Sequence, residues 1–384
     1  MTGKVPRRGF LASIGASFLA SGVASAVGTS TSTQSAVVLK GDRKQPIRQK
    51  DITQARTEFL QQHGLDDGTK FALRSFAGGS SKRVIGYGIA IDNGVPVESV
   101  YTIPSPEQLI PADTDGPEKT DVSTKGTSEF TSISDSISQF HSDLDTFADG
   151  NRDSVVDSVS SSQTPTTQLA EPEPGWVKQG EINEATAVYW NLHGENIQVG
   201  RIDLDTEIWK SGDETRDYED KYACALRGEM WPSPSIDHLN TPSIFRNEGS
   251  HLIQDWDRTS MGSPTITESS PDTEKTESIN TTLSVSSTDS AQLSLDWETP
   301  YIGRTETSQP DETVGWKFDY PWNGGNNGRR SRVELKSLGE AWLDASHASF
   351  DTILTTEFEG EFRRENTSEI ASDTLDTPIR WANL

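Results

Sequence analysis

The residues able to do chemistry are few and scattered. Six histidines, at 63, 141, 193, 238, 251 and 347, include no pair at the spacing of three to five residues that metal sites use. No H-E-x-x-H, C-x-x-C or G-x-S-x-G pattern is present. The densest collection is Asp237, His238, Ser250, His251, Asp255 and Asp257, a hydroxyl, two imidazoles and carboxylates that loops could gather into a hydrolytic site, because a triad is defined by geometry and not by order. Asn247-Glu248-Gly249-Ser250-His251 lacks the second glycine of a nucleophile elbow, and ordinary polar loop residues are the plainer reading. Asp203, Asp205 and Glu207 fall on one face of an alternating strand, and oxygen clusters suit Ca²⁺. The D-x-[DN]-x-[DN]-G spacing is absent, however, and a chain with 59 acidic residues produces such clusters without purpose, so a solvated acidic face outweighs a metal site and no cofactor is expected. Trp316, Phe318, Tyr320 and Trp322 make an aromatic stripe that would suit a sugar ring, giving carbohydrate or protein as the partner to consider. Core packing outweighs it, since each ring buries about 150–250 Å² and a two-sheet interior needs such residues. Asn280 and Asn366 begin N-x-[ST] sequons, acceptors for surface glycosylation.

The elements that must hold these residues are mainly β. Period-2 alternation runs through Ile279 to Val285, Leu293 to Trp297, Trp316 to Trp322 and Val333 to Leu335, which predicts antiparallel strands with one buried face at the centre of the fold. Further strands are expected at 185–192, 197–204, 222–230 and 252–256, while 341–362 fits helix or strand. All ten tryptophans lie between 176 and 381, so 176–384 is read as a β-sandwich domain. In front of it a small α+β module is expected over 47–103. It has one helix from Asp51 as N-cap to a stop at Gly64, a strand over 71–76, and a hairpin turning at Asp92-Asn93-Gly94. Residues 27–46 read as flexible, and 104–175 as a Ser/Thr-rich linker. Within that linker Phe130, Ile133, Ile137, Phe140, Leu144 and Phe147 form a heptad stripe, predicting an amphipathic helix over 128–148. Five serines between 132 and 142 weaken it, so it needs a surface, and docking on its own chain outweighs a partner helix or a membrane.

Charge narrows the partners. The chain carries a formal net charge of -25, and nucleic acid and anionic membranes are poor partners for such a surface. The single cysteine, Cys224, forms no intramolecular disulfide and reads as a small buried hydrophobe. Arg7-Arg8-Gly9-Phe10-Leu11, a weakly apolar run, and Ala24-Ser25-Ala26 together resemble a twin-arginine (Tat) export signal occupying 1–26, with Arg7 and Arg8 as the recognition pair and Ala24 and Ala26 framing the cleavage site. That resemblance implies export in a folded state, to the cell surface or beyond it, and no stable membrane anchor is expected in the mature chain. Acids spread over nearly every segment resemble the secreted proteins of extreme halophiles. The stretch Tyr87-Gly88-Ile89-Ala90-Ile91-Asp92-Asn93-Gly94 looks like the N-terminal region of uncharacterised Tat-exported proteins of halophilic archaea, which implies no particular activity. The expected role is non-enzymatic binding or assembly. The alternatives are a hydrolase built around His238 and His251, and a halocin-like antimicrobial or pore-forming toxin.

Overall fold

In the computed structural model the described residues are 36–65, 71–76, 82–105, 133–153, 171–172, 175–192, 195–216, 218–233, 236, 245–257, 264–271, 279–286, 292–299, 304–308, 312–320, 327–344 and 351–382. The export signal with Arg7, Arg8, Ala24 and Ala26, most of the 104–175 linker, Asp237, His238 and Trp322 lie outside them. In chain order the elements begin with β1 (Ala36–Lys40), α1 (Gln49–Gln62), β2 (Phe71–Arg74), β3 (Lys82–Asp92), β4 (Val95–Pro104), α2 (Ile133–Asp153) and β5 (Glu171–Pro172). Four long strands follow, β6 (Trp176–Leu192), β7 (Glu195–Arg216), β8 (Glu219–Pro232) and β9 (Phe245–Asp255). The chain ends with β10 (Thr265–Ser270), β11 (Ile279–Ser286), β12 (Gln292–Thr299), β13 (Arg304–Ser308), β14 (Thr313–Asp319), α3 (Asn327–Arg330), β15 (Val333–Asp344), β16 (Thr352–Arg364) and β17 (Ile370–Ala382).

Two sheets make the body. One has the order β1-β3-β4-β6-β7-β8-β15-β10, the other β13-β14-β9-β16-β17-β2. Between them lies an apolar interior built from Ile202, Leu204, Ile208, Leu226 and Met230 of the first and Leu252, Trp316, Phe318, Phe358 and Phe362 of the second. These residues recur at every second position, which is why the sequence alternates: Ile202, Leu204, Thr206 and Ile208 face the core while Arg201, Asp203, Asp205 and Glu207 face away. The chain is mainly β, as the alternation requires, and 352–364, ambiguous in sequence, is strand.

Of the N-terminal strands, β1, β3 and β4 continue the eight-stranded sheet and β2 the six-stranded one. β3 and β4 form the expected hairpin, turning through Asn93 (φ 50°) and Gly94 (φ 83°), the two positive-φ positions that Asn-Gly accepts. β4 then runs parallel to β6, with Tyr101 opposite Ala185. Parallel neighbours need a crossover, and the stretch between them in sequence contains α2. Thr33–Leu384 forms one compact unit.

α1 and α2 each cover one face of the β3–β4 region. α1 packs Ile52, Phe59 and Leu60 against Tyr87, Ile89 and Val100. It begins at Gln49 with Arg48 as N-cap, three residues before the expected cap at Asp51. Asp51 is a first-turn residue, and its carboxylate accepts from Arg48 Nε at 2.8 Å. The predicted stop holds: Gly64 sits at φ 67° and the Leu65 amide donates to the Leu60 carbonyl at 3.0 Å. On the opposite face α2 lays Ile133, Ile137, Phe140 and Leu144 on Ile85, Tyr101, Ala185 and Ala187. The heptad stripe therefore docks within its own chain.

Two expectations are corrected. β1 lies inside the span read as flexible, where Ala36 to Lys40 pair with Ala90 to Gly86; a five-residue edge strand after a Ser/Thr run leaves little pattern to read. And β11 and β12, expected at the centre of the fold, belong to neither main sheet. They pair with each other and, through β12, with the two-residue β5, alongside β10 and β15. Alternation reports a two-faced strand but not which layer receives its apolar face.

Candidate functional site

Ser250, His251 and Asp255 all lie on β9, the third strand of the six-stranded sheet. Neighbours in a strand point to opposite faces, and this separates the hydroxyl from the imidazole. Ser250 is buried toward the core, its Oγ 3.4 Å from the Tyr320 hydroxyl. His251 faces outward in a cross-strand row, between Lys317 of β14 and Glu359 of β16. Burial pushes its pKa down, Glu359 opposes the shift and Lys317 adds to it. Asp255 shares the outward face but stands four residues along, about 13 Å at strand rise, and accepts from Thr313 Oγ1 at 3.2 Å. The three do not form a proton relay, and their fourth expected partner, His238, is outside the described residues.

The three acids of β7 face the outer side of the eight-stranded sheet, and each meets a cation of its own. Arg201 Nε donates to Asp203 at 2.6 Å and its Nη1 to Asp143 of α2 at 2.7 Å. Arg227 Nε donates to Asp205 at 2.7 Å, and Glu207 takes Lys178 at 2.7 Å and the Trp209 indole N–H at 3.2 Å. Among the described residues no group of three or more His, Cys, Asp or Glu is arranged to hold a metal ion. Burial pushes Asp203 up to about 6 and Asp205 up to about 7, against the pull of Arg201 and Arg227 respectively.

The aromatic stripe is interior. Trp316 and Phe318 are 0 % exposed and Tyr320 3 %, so the rings of these three fill the space between the sheets and none offers a face to a sugar; Trp322 lies outside the described residues. Cys224 is buried in the same interior, its thiol pushed well above the usual range by burial and by Glu207. Of the two sequons, Asn366 occupies an exposed turn between β16 and β17 at φ 63°, while Asn280 is held in the β11–β12 ladder opposite Glu298.

A buried cluster that sequence reading missed brings together Arg56, Arg74, Tyr87, Glu98 and Glu184. Glu98 of β4 is fully buried and accepts from the Tyr87 hydroxyl at 2.5 Å, from Arg56 Nε of α1 at 2.8 Å and from the Arg74 amide at 2.9 Å. The Arg74 guanidinium pairs with Glu184 of β6 and, like that of Arg56, lies over the Phe76 ring, at 4.8 and 5.4 Å. Burial pushes Arg74 down to about 10 although Glu98 supports its charge. Burial likewise raises Tyr87 well above the usual phenol range, so it stays a donor. β2 belongs to the six-stranded sheet and Glu98 and Glu184 to the eight-stranded one, so the cluster ties α1 and both sheets together. Its carboxylates are spent on arginines, which makes it a cross-brace. The one signal for it was an acid set inside the apolar run of Val97-Glu98-Ser99-Val100.

No helix among the described residues is long and apolar enough to cross a membrane. No protein-family model matches the chain, and no curated protein matches it. Among solved structures it is similar to the NetB toxin of Clostridium perfringens in its membrane-inserted form, at 10 % identity over 52 % of this chain and 93 % of that chain, with a TM-score of 0.21. A likeness that slight says nothing of this chain's activity.

Proposed function

We propose that the chain is an exported, non-enzymatic protein that works by binding or assembly at or beyond the cell surface of a salt-adapted organism. The observation that supports this reading most is the use already made of the candidate side chains. Asp203, Asp205 and Glu207 are ion-paired, Trp316, Phe318 and Tyr320 are packed between the sheets, and Ser250 and His251 face opposite ways. Export rests on Arg7, Arg8 and the Ala24-Ser25-Ala26 step, as the sequence pattern gives them. A screen of the purified protein in molar KCl against fluorogenic esters, peptides and glycosides should give no turnover above a heat-treated control. Robust hydrolysis of any of them would overturn the non-enzymatic part. Replacing Arg7 and Arg8 by lysine should hold the protein inside the cell, and undiminished release would remove the export part.

Within that reading a membrane-active assembly is favoured by one element, the β11–β12 hairpin, whose two faces differ in polarity throughout.

A further inference from the structure

β11 and β12 pair in continuous antiparallel register, Ile279 with Thr299, Thr281 with Trp297, Leu283 with Leu295 and Val285 with Leu293. These eight positions share one face of the ladder. The positions between them share the other: Asn280 with Glu298, Thr282 with Asp296, Ser284 with Ser294 and Ser286 with Gln292. One side is thus Ile, Leu, Val, Trp and Thr, and the other is polar throughout, with its two acids at the base and uncharged Ser and Gln toward the tip.

We propose that this hairpin is the element with which several copies of the chain, joined in a ring, enter a lipid bilayer as an antiparallel β-barrel. The inference rests on the assembly reading above and gives it a partner, the hydrocarbon core of a membrane. Four observations carry it. In sequence the alternation extends past the paired residues, from Ile279 to Ser287 and from Ala291 to Tyr301, nine and eleven residues, and a tilted strand needs about 9–11 residues to cross a bilayer. In a chain that is 24 % charged, the eight same-face positions of the paired strands contain no charged residue, as a lipid-facing side requires. Trp297 falls near the base of that face, where barrel proteins place aromatic girdles. And the hairpin belongs to neither main sheet, so both sheets keep their pairings if it leaves its place.

The ring follows from hydrogen bonding. Two strands alone would carry unpaired backbone groups along both edges into hydrocarbon, at several kcal/mol for each group, so an inserted hairpin is admissible only in a closed barrel. The smallest such barrels have eight strands, which requires at least about four copies of a two-stranded hairpin.

The test uses the single native thiol. Cys224 is buried, so a cysteine introduced in the hairpin can be labelled alone in the folded full-length protein. Leu283→Cys, Leu295→Cys, Ser284→Cys and Ser294→Cys, each carrying a polarity-sensitive fluorophore, would be mixed in molar KCl with dye-loaded vesicles of phosphatidylcholine, with and without phosphatidylglycerol. Labels at 283 and 295 should report a several-fold emission rise while those at 284 and 294 stay aqueous, with release of the trapped dye. Unlabelled wild-type protein should release the dye too, which guards against a variant that fails to fold. Silence at all four positions with no release by wild type in either vesicle would overturn the proposal, and so would an equal rise at all four, which signals adsorption without a barrel. Chemical cross-linking on the same vesicles separates the two levels: oligomers with silent labels sink the hairpin proposal and leave assembly standing, whereas turnover in the substrate screen would sink the non-enzymatic reading alone.

Discussion

At the scale of single residues the charges on the outer face of the eight-stranded sheet are the informative ones. Asp205 is pushed up to about 7 by burial in spite of Arg227, against about 3.9 in an unfolded chain. Between those values the folded state holds a proton that the unfolded state has released, so this group's contribution to stability is fully present below about pH 3.9, declines as pH rises above that, and is lost through about 7. The slope is on the order of 1.4 kcal/mol per pH unit at most, before solvent and Arg227 reduce it. Thermal melts in molar KCl should show wild type gaining stability from pH 8 to pH 5.5 relative to Asp205→Asn, in which the carboxyl is replaced by a neutral amide. Equal pH responses in the two proteins would mean that Arg227 keeps Asp205 ionised throughout. Cys224 shows the same physics without a consequence for function, since a thiol held neutral in the core is a poor nucleophile.

Among the elements, α2 is the one whose place was open. Its stripe alone is compatible with a partner helix, a membrane surface or its own sheet. The choice is made by β3, whose Gly86 and Gly88 face it. A Cβ on Gly86 would come 2.7 Å from Leu144 Cδ1, and one on Gly88 2.8 Å from the Phe147 ring, so the helix seats against bare backbone. Arg201, bridging Asp143 of α2 and Asp203 of β7, fixes its rotation. Leu144→Ala should cost about 2–5 kcal/mol, felt first as docking of this helix. Hydrogen exchange should speed up in α2 amides before it does in β7 or β16, and Gly88→Val should do the same by overfilling the seat. Unchanged exchange in both variants would show that the helix is not held by this face. The serines at 134, 136, 138 and 142 that weaken the helix in isolation are compatible with this arrangement, because a helix held by tertiary contact needs little intrinsic propensity.

For the whole molecule the governing quantity is charge. The chain carries a net charge of -25, and if export removes the first 26 residues with Lys4, Arg7 and Arg8 it becomes -28; ion pairs leave that excess unchanged, since each joins one charge of either sign. The Debye length grows from about 3 Å at 1 M salt to about 10 Å at 0.1 M, so carboxylates that are independent in brine repel one another in dilute buffer. A domain has about 5–15 kcal/mol of net stability to lose, and with one cysteine no intramolecular disulfide restrains the unfolded chain. The melting temperature should therefore climb steeply between 0.1 and 3 M KCl at neutral pH, followed by circular dichroism. A midpoint independent of salt would show that the charge is balanced locally and would remove the salt-adapted part of the proposal.

Most of what depends on neighbours along the chain was legible in the order of residues, the short strand β1 and the first turn of α1 excepted. The alternation of Trp316, Phe318 and Tyr320 is local, and so are the Asn93-Gly94 turn, the Gly64 stop and the stripe on α2, because each is set by the period of one element or the dihedral freedom of one residue. The same locality made the polarity of the β11–β12 faces readable. Everything that depends on which faces meet was left to the packing. It put the aromatic rings between two sheets and turned Ser250 and His251 apart, gave the acids of β7 their arginines and lysine, and joined β4 to β6 across a crossover. It also gathered Arg56, Arg74, Tyr87, Glu98 and Glu184 from five elements into one buried brace. Those partners are far apart in the chain, and no periodicity records them: period fixes the side of an element on which a residue lies, and only the packing of sheets and helices fixes what lies opposite.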